Sequence, residues 1–117
     1  MAAPNIVNVA TITGKTAVQA VGTSATAIVT NSAGSGKVFK INALYVANVD
    51  GSVAADITVD IYRSTTSYPI AYTVQVPADD VLDIVSKAIY LEEGDSLRCL
   101  ASAVSKLTAV CSYEEIS

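Results

Sequence analysis

Apolar and polar residues alternate through most of the stretch at residues 88–113, and this alternation constrains the fold more than any other feature of the chain. A period of two residues places successive side chains on opposite faces of an extended strand. With residues 104–106 as a loop, position 99 pairs with 111 and position 101 with 109 in a predicted β-hairpin. The hairpin has one apolar face, formed by Leu97, Cys99, Ala101, Ala103, Leu107, Ala109, Cys111 and Tyr113.

An acidic turn precedes this hairpin. Glu92, Glu93, Gly94 and Asp95 follow a short alternating segment at residues 89–91. Gly94 can adopt the positive φ that a tight turn needs, and Asp95 can accept hydrogen bonds from backbone amides two residues on. We therefore expect three consecutive antiparallel strands in this region.

Alternation and turn signals recur along the rest of the chain, which gives nine or ten short strands in total. The only competing helix is at residues 78–85. This spacing predicts an all-β fold, an antiparallel, jelly-roll-like β-sandwich. We expect a single domain at residues 1–117, with an extended N-terminal arm at residues 1–8. The remaining strands are predicted at residues 6–13, 16–21, 23–30, 37–49, 56–62, 70–76 and 81–85, with a turn at Gly14 and Lys15, a loop at residues 31–36 and a polar tip at residues 64–69.

The longest predicted strand, residues 37–49, is apolar on both faces. Leu44 and Val46 interrupt the polar character of the face that we predict to be outward. A strand that is apolar on both faces is usually covered on both sides, either by a second layer of the protein or by a neighbouring subunit. We favour the neighbouring subunit. The face predicted to be inward carries Phe39, Ile41, Ala43, Tyr45, Ala47 and Val49.

The tyrosines divide by the same alternation. Tyr45, Tyr72 and Tyr113 lie on apolar faces and are predicted core residues. The other three alternate outward or lie on the polar tip, where a ring with a polar hydroxyl suits a protein interface. The predicted interface residues are therefore Leu44, Val46, Tyr62, Tyr68 and Tyr90.

Charge and composition exclude several functions. Charged residues make up only 15% of the chain, the net charge is −4, and the seven Lys and Arg residues form no basic cluster. Direct nucleic-acid binding needs such a cluster. No apolar run approaches the roughly 20 residues of a membrane span, and no secretory signal is apparent. The low charge leaves apolar area that must be exposed or must meet a partner.

No residue pattern indicates catalysis, a cofactor or a resident metal. The chain has no His, which excludes histidine-dependent nucleophiles and histidine metal ligands. Two glycine-lysine segments resemble phosphate-binding loops but lack the required first glycine. Calcium binding by Glu92, Glu93 and Asp95 would need further ligands from elsewhere in the chain. Cys99 and Cys111 are predicted to be reduced core residues, although their pairing across the predicted hairpin would also allow a disulfide.

The segment Tyr90 to Leu97 resembles the penultimate hairpin of many jelly-roll proteins, including the tumour-necrosis-factor-like trimers. The whole chain, with its Ala, Val, Thr and Ser content, its LYVANVDG segment at residues 44–51 and its SYEEIS ending at residues 112–117, is similar to the small all-β accessory proteins of tailed bacteriophage particles.

This resemblance implies a non-enzymatic virion component, assembled in the host cytoplasm. It implies a capsid decoration or cement protein that binds the major capsid protein or other virion proteins where shell subunits meet, and a homo-oligomer, with a trimer favoured. A head-to-tail, neck or tail/fibre accessory protein is the alternative, followed by a carbohydrate-binding adhesion module.

Overall fold

Nine β-strands and no helix form residues 10–117, the part of the chain that the computed structural model describes. The all-β prediction is confirmed. The strands are β1 (Ile12–Ala20), β2 (Thr26–Thr30), β3 (Val38–Asn48), β4 (Ala55–Arg63), β5 (Thr66–Val76), β6 (Val81–Asp83), β7 (Ile89–Leu91), β8 (Ser96–Ala101) and β9 (Leu107–Ile116).

The strands form two antiparallel sheets, as predicted for a β-sandwich. One sheet has the order β1-β9-β3-β6, with β7 also paired to β3, and the other has the order β2-β8-β4-β5. The core lies between the sheets because alternate residues of the central strands point inward. Its largest fully buried side chains include Ile41, Leu44, Ile57, Leu91 and Leu97.

The chain passes from one sheet to the other at nearly every connection between the described strands. Two connections are exceptions. β4 and β5 form a hairpin, and β6 and β7 lie one after the other along the same edge of β3. Most neighbours within a sheet are therefore distant in sequence.

The predicted hairpin between residues 96–103 and 107–113 is wrong. β8 pairs with β2 and β4 in one sheet, whereas β9 pairs with β1 and β3 in the other. The inward faces were nevertheless predicted correctly for Leu97, Cys99, Leu107 and Cys111, which are all buried. Residues 102–106 carry the chain across the core, and two strands that face each other across a core have the same alternation as a hairpin. For the same reason β7, predicted to pair with β8, pairs with β3.

The turn predicted at Gly14 and Lys15 is also wrong, because both residues lie within β1. Gly14 pairs with Glu114 and Lys15 with Tyr113 in an uninterrupted ladder. β1 is an edge strand whose side chains are mostly exposed, so a glycine costs it little packing. The predicted arm at residues 1–8 lies outside the described residues, as does most of the strand predicted at residues 6–13.

A β-bulge in β3 reverses the predicted faces of its second half. The pairing with β9 shifts between Ile41 and Ala43. A bulge adds one residue to one strand, so the side chains beyond it change faces. Leu44 and Val46 are therefore fully buried in the core, and Tyr45, predicted to be in the core, is 46% exposed. The outward orientation predicted for Leu44 and Val46 is wrong.

β5 is longer and more exposed than predicted. The polar tip expected at residues 64–69 shortens to a turn at Ser64 and Thr65, and β5 begins at Thr66. The pairing of β4 with β5 shifts twice, between Ile57 and Asp60. Tyr72, predicted to be in the core, is exposed as a result. The strand prediction at residues 81–85 is correct in type, since β6 forms there and the competing helix does not.

Candidate functional site

A group of exposed apolar side chains lies on the side of the sandwich where β5 is opposite β6 and β7. These are outer strands of the two sheets, so the space between the sheets opens to solvent along this side. A hollow of about 330 Å³ lies here, lined by Ile61, Arg63, Tyr68, Ile70, Ile89 and Tyr90.

A second hollow of about 250 Å³ continues the first. The two share Ile70 and Ile89, and the second is also lined by Ile84, Val85, Ser86 and Lys87. Together they form one apolar groove, with Lys87 near one end and Arg63, which is paired with Glu92 and Asp95, near the other. We call it the open-side groove.

The β4–β5 hairpin positions Tyr68 in this groove. Ser64 and Thr65 have φ values of 51° and 61°, which suit the tight two-residue turns that match strand twist. The turn sets Ile61 opposite Tyr68, so both side chains lie on the same face of the sheet. Tyr68 stays 55% exposed.

β7 forms the other wall. Ile89 pairs with Ile41 and Tyr90 with Lys40 of β3. Ile89 packs against the core, and Tyr90 remains 42% exposed beside it. Because β7 is an outer strand of its sheet, both Ile89 and Tyr90 line the groove.

An ion-pair cluster closes one end of the groove. The Arg63 Nε donates to Asp95 Oδ1 at 2.7 Å, and its Nη2 donates to Asp95 Oδ2 and to Glu92 Oε2. Burial alone would raise the pKa of Asp95, but hydrogen bonds from Arg63 and from the Glu92 N–H hold that pKa below its usual value. Asp95 thus accepts from an amide three residues before it, and the prediction of an amide two residues after it is wrong.

A second ion pair lies on the outer face of the sheet with the order β2-β8-β4-β5. The Arg98 guanidinium donates to both carboxylate oxygens of Asp60, at 2.9 and 2.8 Å, and the Ser67 hydroxyl donates to Oδ2 at 2.6 Å. The Arg98 Cζ also lies 4.0 Å from the centre of the Tyr62 ring. Because Tyr62 follows Ile61 on a strand, its ring is on the opposite face from the groove.

The structure thus brings together two of the five predicted interface residues, Tyr68 and Tyr90. Tyr62 lies on another face, and Leu44 and Val46 lie in the core. The sequence analysis missed Ile70 as a groove residue, because the alternation of residues 70–76 placed it inside. The Pro69 beside it was the available signal, since proline within a sheet is confined to edges and bulges.

The acidic side chains of the turn make hydrogen bonds and ion pairs that hold neighbouring segments together. Glu93 Oε2 accepts the Gly36 N–H at 3.0 Å, while Glu92 and Asp95 bind Arg63. Gly94 has a φ of 91°, as predicted for the turn. Among residues 10–117, no group of three or more acidic, cysteine or histidine side chains is placed to hold a metal ion.

Cys99 and Cys111 are unbonded and buried in opposite sheets. Burial raises the pKa of the Cys99 thiol to about 12 and that of the Cys111 thiol to about 11. Both thiols are therefore neutral in the folded protein near neutral pH, and a neutral thiol is a poor nucleophile.

Within the described residues, the structure contains no helix of the length and apolarity needed to cross a membrane.

No protein-family model matches the sequence, and no curated protein matches it either. The fold is similar to solved structures. A capsid structure of the Helicobacter pylori bacteriophage KHP30 has a TM-score of 0.56 at 8% identity, covering 94% of this chain and 90% of that one. A protein of the disulfide-linked pili that form Bacillus endospore appendages has a TM-score of 0.53 at 14% identity, covering 92% of this chain and 88% of that one. These similarities show a shared fold.

Proposed function

We propose that this chain is a non-enzymatic structural protein of a bacteriophage particle, which binds at junctions between capsid subunits as a decoration or cement protein. The open-side groove is the observation that carries this proposal. It leaves Tyr68, Ile70 and Tyr90 about half exposed on one side of a small sandwich. Exposed apolar patches rimmed by polar residues are typical of surfaces that meet another protein.

The fold supports the same proposal. The order β1-β9-β3-β6 opposite β2-β8-β4-β5 corresponds to a double-sheet jelly roll, with β6 and β7 together in the place of one strand. Viral capsid domains are among the proteins that use this architecture. The similarity in fold to the phage KHP30 capsid structure agrees with this assignment.

The mechanism is stabilisation by mass action. A protein that binds only the assembled shell lowers the free energy of that state and so opposes its disassembly. Tyr68 and Tyr90 are the proposed anchors, because tyrosine offers apolar area and a hydroxyl that can bond at the rim. Their partner is a capsid subunit or another copy of this chain within the particle.

An accessory role in the neck, tail or fibre is the second candidate. The fold similarity to the Bacillus appendage protein favours it, since that protein comes from disulfide-linked pili. In this chain the two cysteines are buried, so a filament built from it would rest on contacts other than disulfides between these described cysteines.

The test uses phage particles made with and without the gene for this protein. We expect the protein in the complete particles by mass spectrometry, and we expect particles without it to release DNA at a lower temperature. Adding purified protein should restore that temperature. The Tyr68→Ser/Tyr90→Ser variant should fail to restore it, and the control Tyr45→Ser, which changes an exposed tyrosine of β3 outside the groove, should succeed. A protein absent from the particles would contradict the proposal.

A further inference from the structure

The two ends of the open-side groove carry groups of opposite net charge, because Glu92 and Asp95 share the single guanidinium of Arg63 at one end and Lys87 lies at the other. At one end Glu92 has a well-exposed side chain and uses its Oε2 to accept from Arg63 at 3.0 Å. At the other end Lys87 is exposed and lines the second hollow. Exposed apolar side chains lie between these two ends.

The backbone of β5 is unsuited to adding another strand. Its pairing with β4 contains two irregularities, Thr73 has a φ of 48°, and Pro69 has no N–H to donate. β6 and β7 across the groove have three residues each and are interrupted by residues 84–88. Bulges, proline and short strands protect sheet edges from pairing. A partner must therefore pack onto side chains.

The exposed apolar side chains of the groove supply the apolar centre of a protein contact, and the polar residues around them supply the rest of its area. The exposed apolar side chains that line the groove amount to roughly 300 Å², taking about 150 to 250 Å² for each complete aromatic residue. A stable interface buries about 800 Å² on each partner, and its rim is polar. The polar residues around the groove, such as Ser86 and Lys87, can supply that rim. The apolar residues counted are Tyr68, Ile70 and Tyr90.

We propose that the groove binds the groove of a second copy of this chain, about a twofold axis that crosses its centre. A twofold axis reverses the direction of the groove, so Lys87 of each copy meets Glu92 of the other. Tyr68, Ile70 and Tyr90 of the two copies then pack against one another at the centre. The arrangement is self-complementary in both charge and apolarity, which is why the occupant is a second copy.

This inference rests on the proposed function, which uses the same groove, and it specifies the partner in the groove as a second copy of this chain. It also proposes a dimer as the basic unit, in place of the trimer that the resemblance to phage accessory proteins implies. The structure offers a second exposed apolar edge at β1, with Ile12 and Val18, but Lys15 stands between these two residues. β1 carries no acidic side chain that could pair with Lys87, so this edge matches the groove less well than a second groove does.

The experiment is sedimentation equilibrium of the purified protein over a range of concentrations. We expect a mass of twice 12.1 kDa at high concentration, with a dissociation constant that rises with salt. Lys87→Glu should weaken the dimer about tenfold, and Glu92→Lys should weaken it similarly. The double variant Lys87→Glu/Glu92→Lys should recover most of the loss.

Tyr68→Ser gives an independent test of the apolar centre, and circular dichroism checks that each variant is folded. The matched control is Val18→Asp on β1, which should leave the dimer unchanged. A monomer at millimolar concentration, a trimer, or a dimer indifferent to both Lys87→Glu and Tyr68→Ser would each overturn the proposal.

The two proposals fail separately. A monomer in solution that still binds particles would leave the virion role standing and place a particle protein in the groove. A dimer in solution whose protein never occurs in particles would support the dimer and contradict the virion role.

Discussion

The Arg63 side chain connects two parts of the chain that are distant in sequence. It lies at the end of β4, and it binds Glu92 and Asp95 in the turn between β7 and β8. The Asp95 side chain is almost completely buried, so its charge depends on this guanidinium. The cluster therefore holds one end of the open-side groove in place.

Removing the guanidinium should be costly. Arg63→Ala leaves the Asp95 carboxylate buried with its backbone partner alone, and we expect a loss of about 2 kcal/mol in the free energy of unfolding. Urea denaturation at pH 7 measures it. The control Arg63→Ala/Asp95→Asn should recover part of the loss, because no buried charge remains; an equal or larger loss would contradict this account.

The two thiols allow a second prediction at the same scale. Because burial raises the pKa of Cys99 to about 12 and of Cys111 to about 11, neither should react with a thiol reagent in the folded protein at pH 8. Both should react within minutes in denaturant. Labelling followed by mass spectrometry measures this, and fast labelling of the native protein would show that the core opens readily.

At the scale of the strands, the sequence predicted the inward faces of β8 and β9 correctly and their partner strands wrongly. Residues 97–101 and 107–111 have the predicted inward side chains, yet they lie in different sheets. Alternation records only which side of a strand is apolar, while the choice between a hairpin and a crossing depends on the whole core. The bulge at residues 41–43 left no sequence signal either, and it reversed Leu44 and Tyr45. Of the residues that line the groove, the sequence therefore predicted only Tyr68 and Tyr90 as interface residues.

The bulge in β3 predicts opposite effects for neighbouring residues. Leu44→Ala should lower the free energy of unfolding by about 3 kcal/mol, because it opens a cavity in the core. Tyr45→Ala, on the exposed face, should cost less than about 1 kcal/mol. Thermal or urea unfolding compares them. Without the bulge the order of the two effects would be reversed.

For the whole molecule, the distribution of titrating groups sets the pH range of stability. Hydrogen bonds from Lys106, Arg98 and other donors hold the pKa values of Asp50, Asp60, Asp95 and Glu115 below their usual values. Stability from a lowered pKa is present above the unfolded value, near 4, and is lost as the pH falls through the folded value. The chain has no His, which is the residue whose side chain ordinarily titrates near neutral pH.

We therefore expect the free energy of unfolding to be constant from about pH 5 to about pH 8. Below about pH 4 it should fall as the carboxylates protonate. Above about pH 8.5 it should fall because unfolded thiols ionise while the buried ones stay neutral, by about 1.4 kcal/mol per pH unit for each thiol. Urea denaturation across this range measures it. The double variant Cys99→Ala/Cys111→Ala should lack the alkaline decline, and an unchanged decline would refute its assignment to the thiols.

The antiparallel pairing of β1 with β9 has a mechanical consequence. Ile12 lies beside Ile116, and the Thr11 carbonyl accepts the Ser117 N–H at 2.9 Å, so both strands can be pulled from the same end of the sandwich. Hydrogen bonds of an antiparallel ladder are perpendicular to the strands, so such a force opens them one at a time. A tensile load on these two strand ends would unzip the sandwich at low force, whereas a load applied through the faces of the sheets would be shared by many bonds at once.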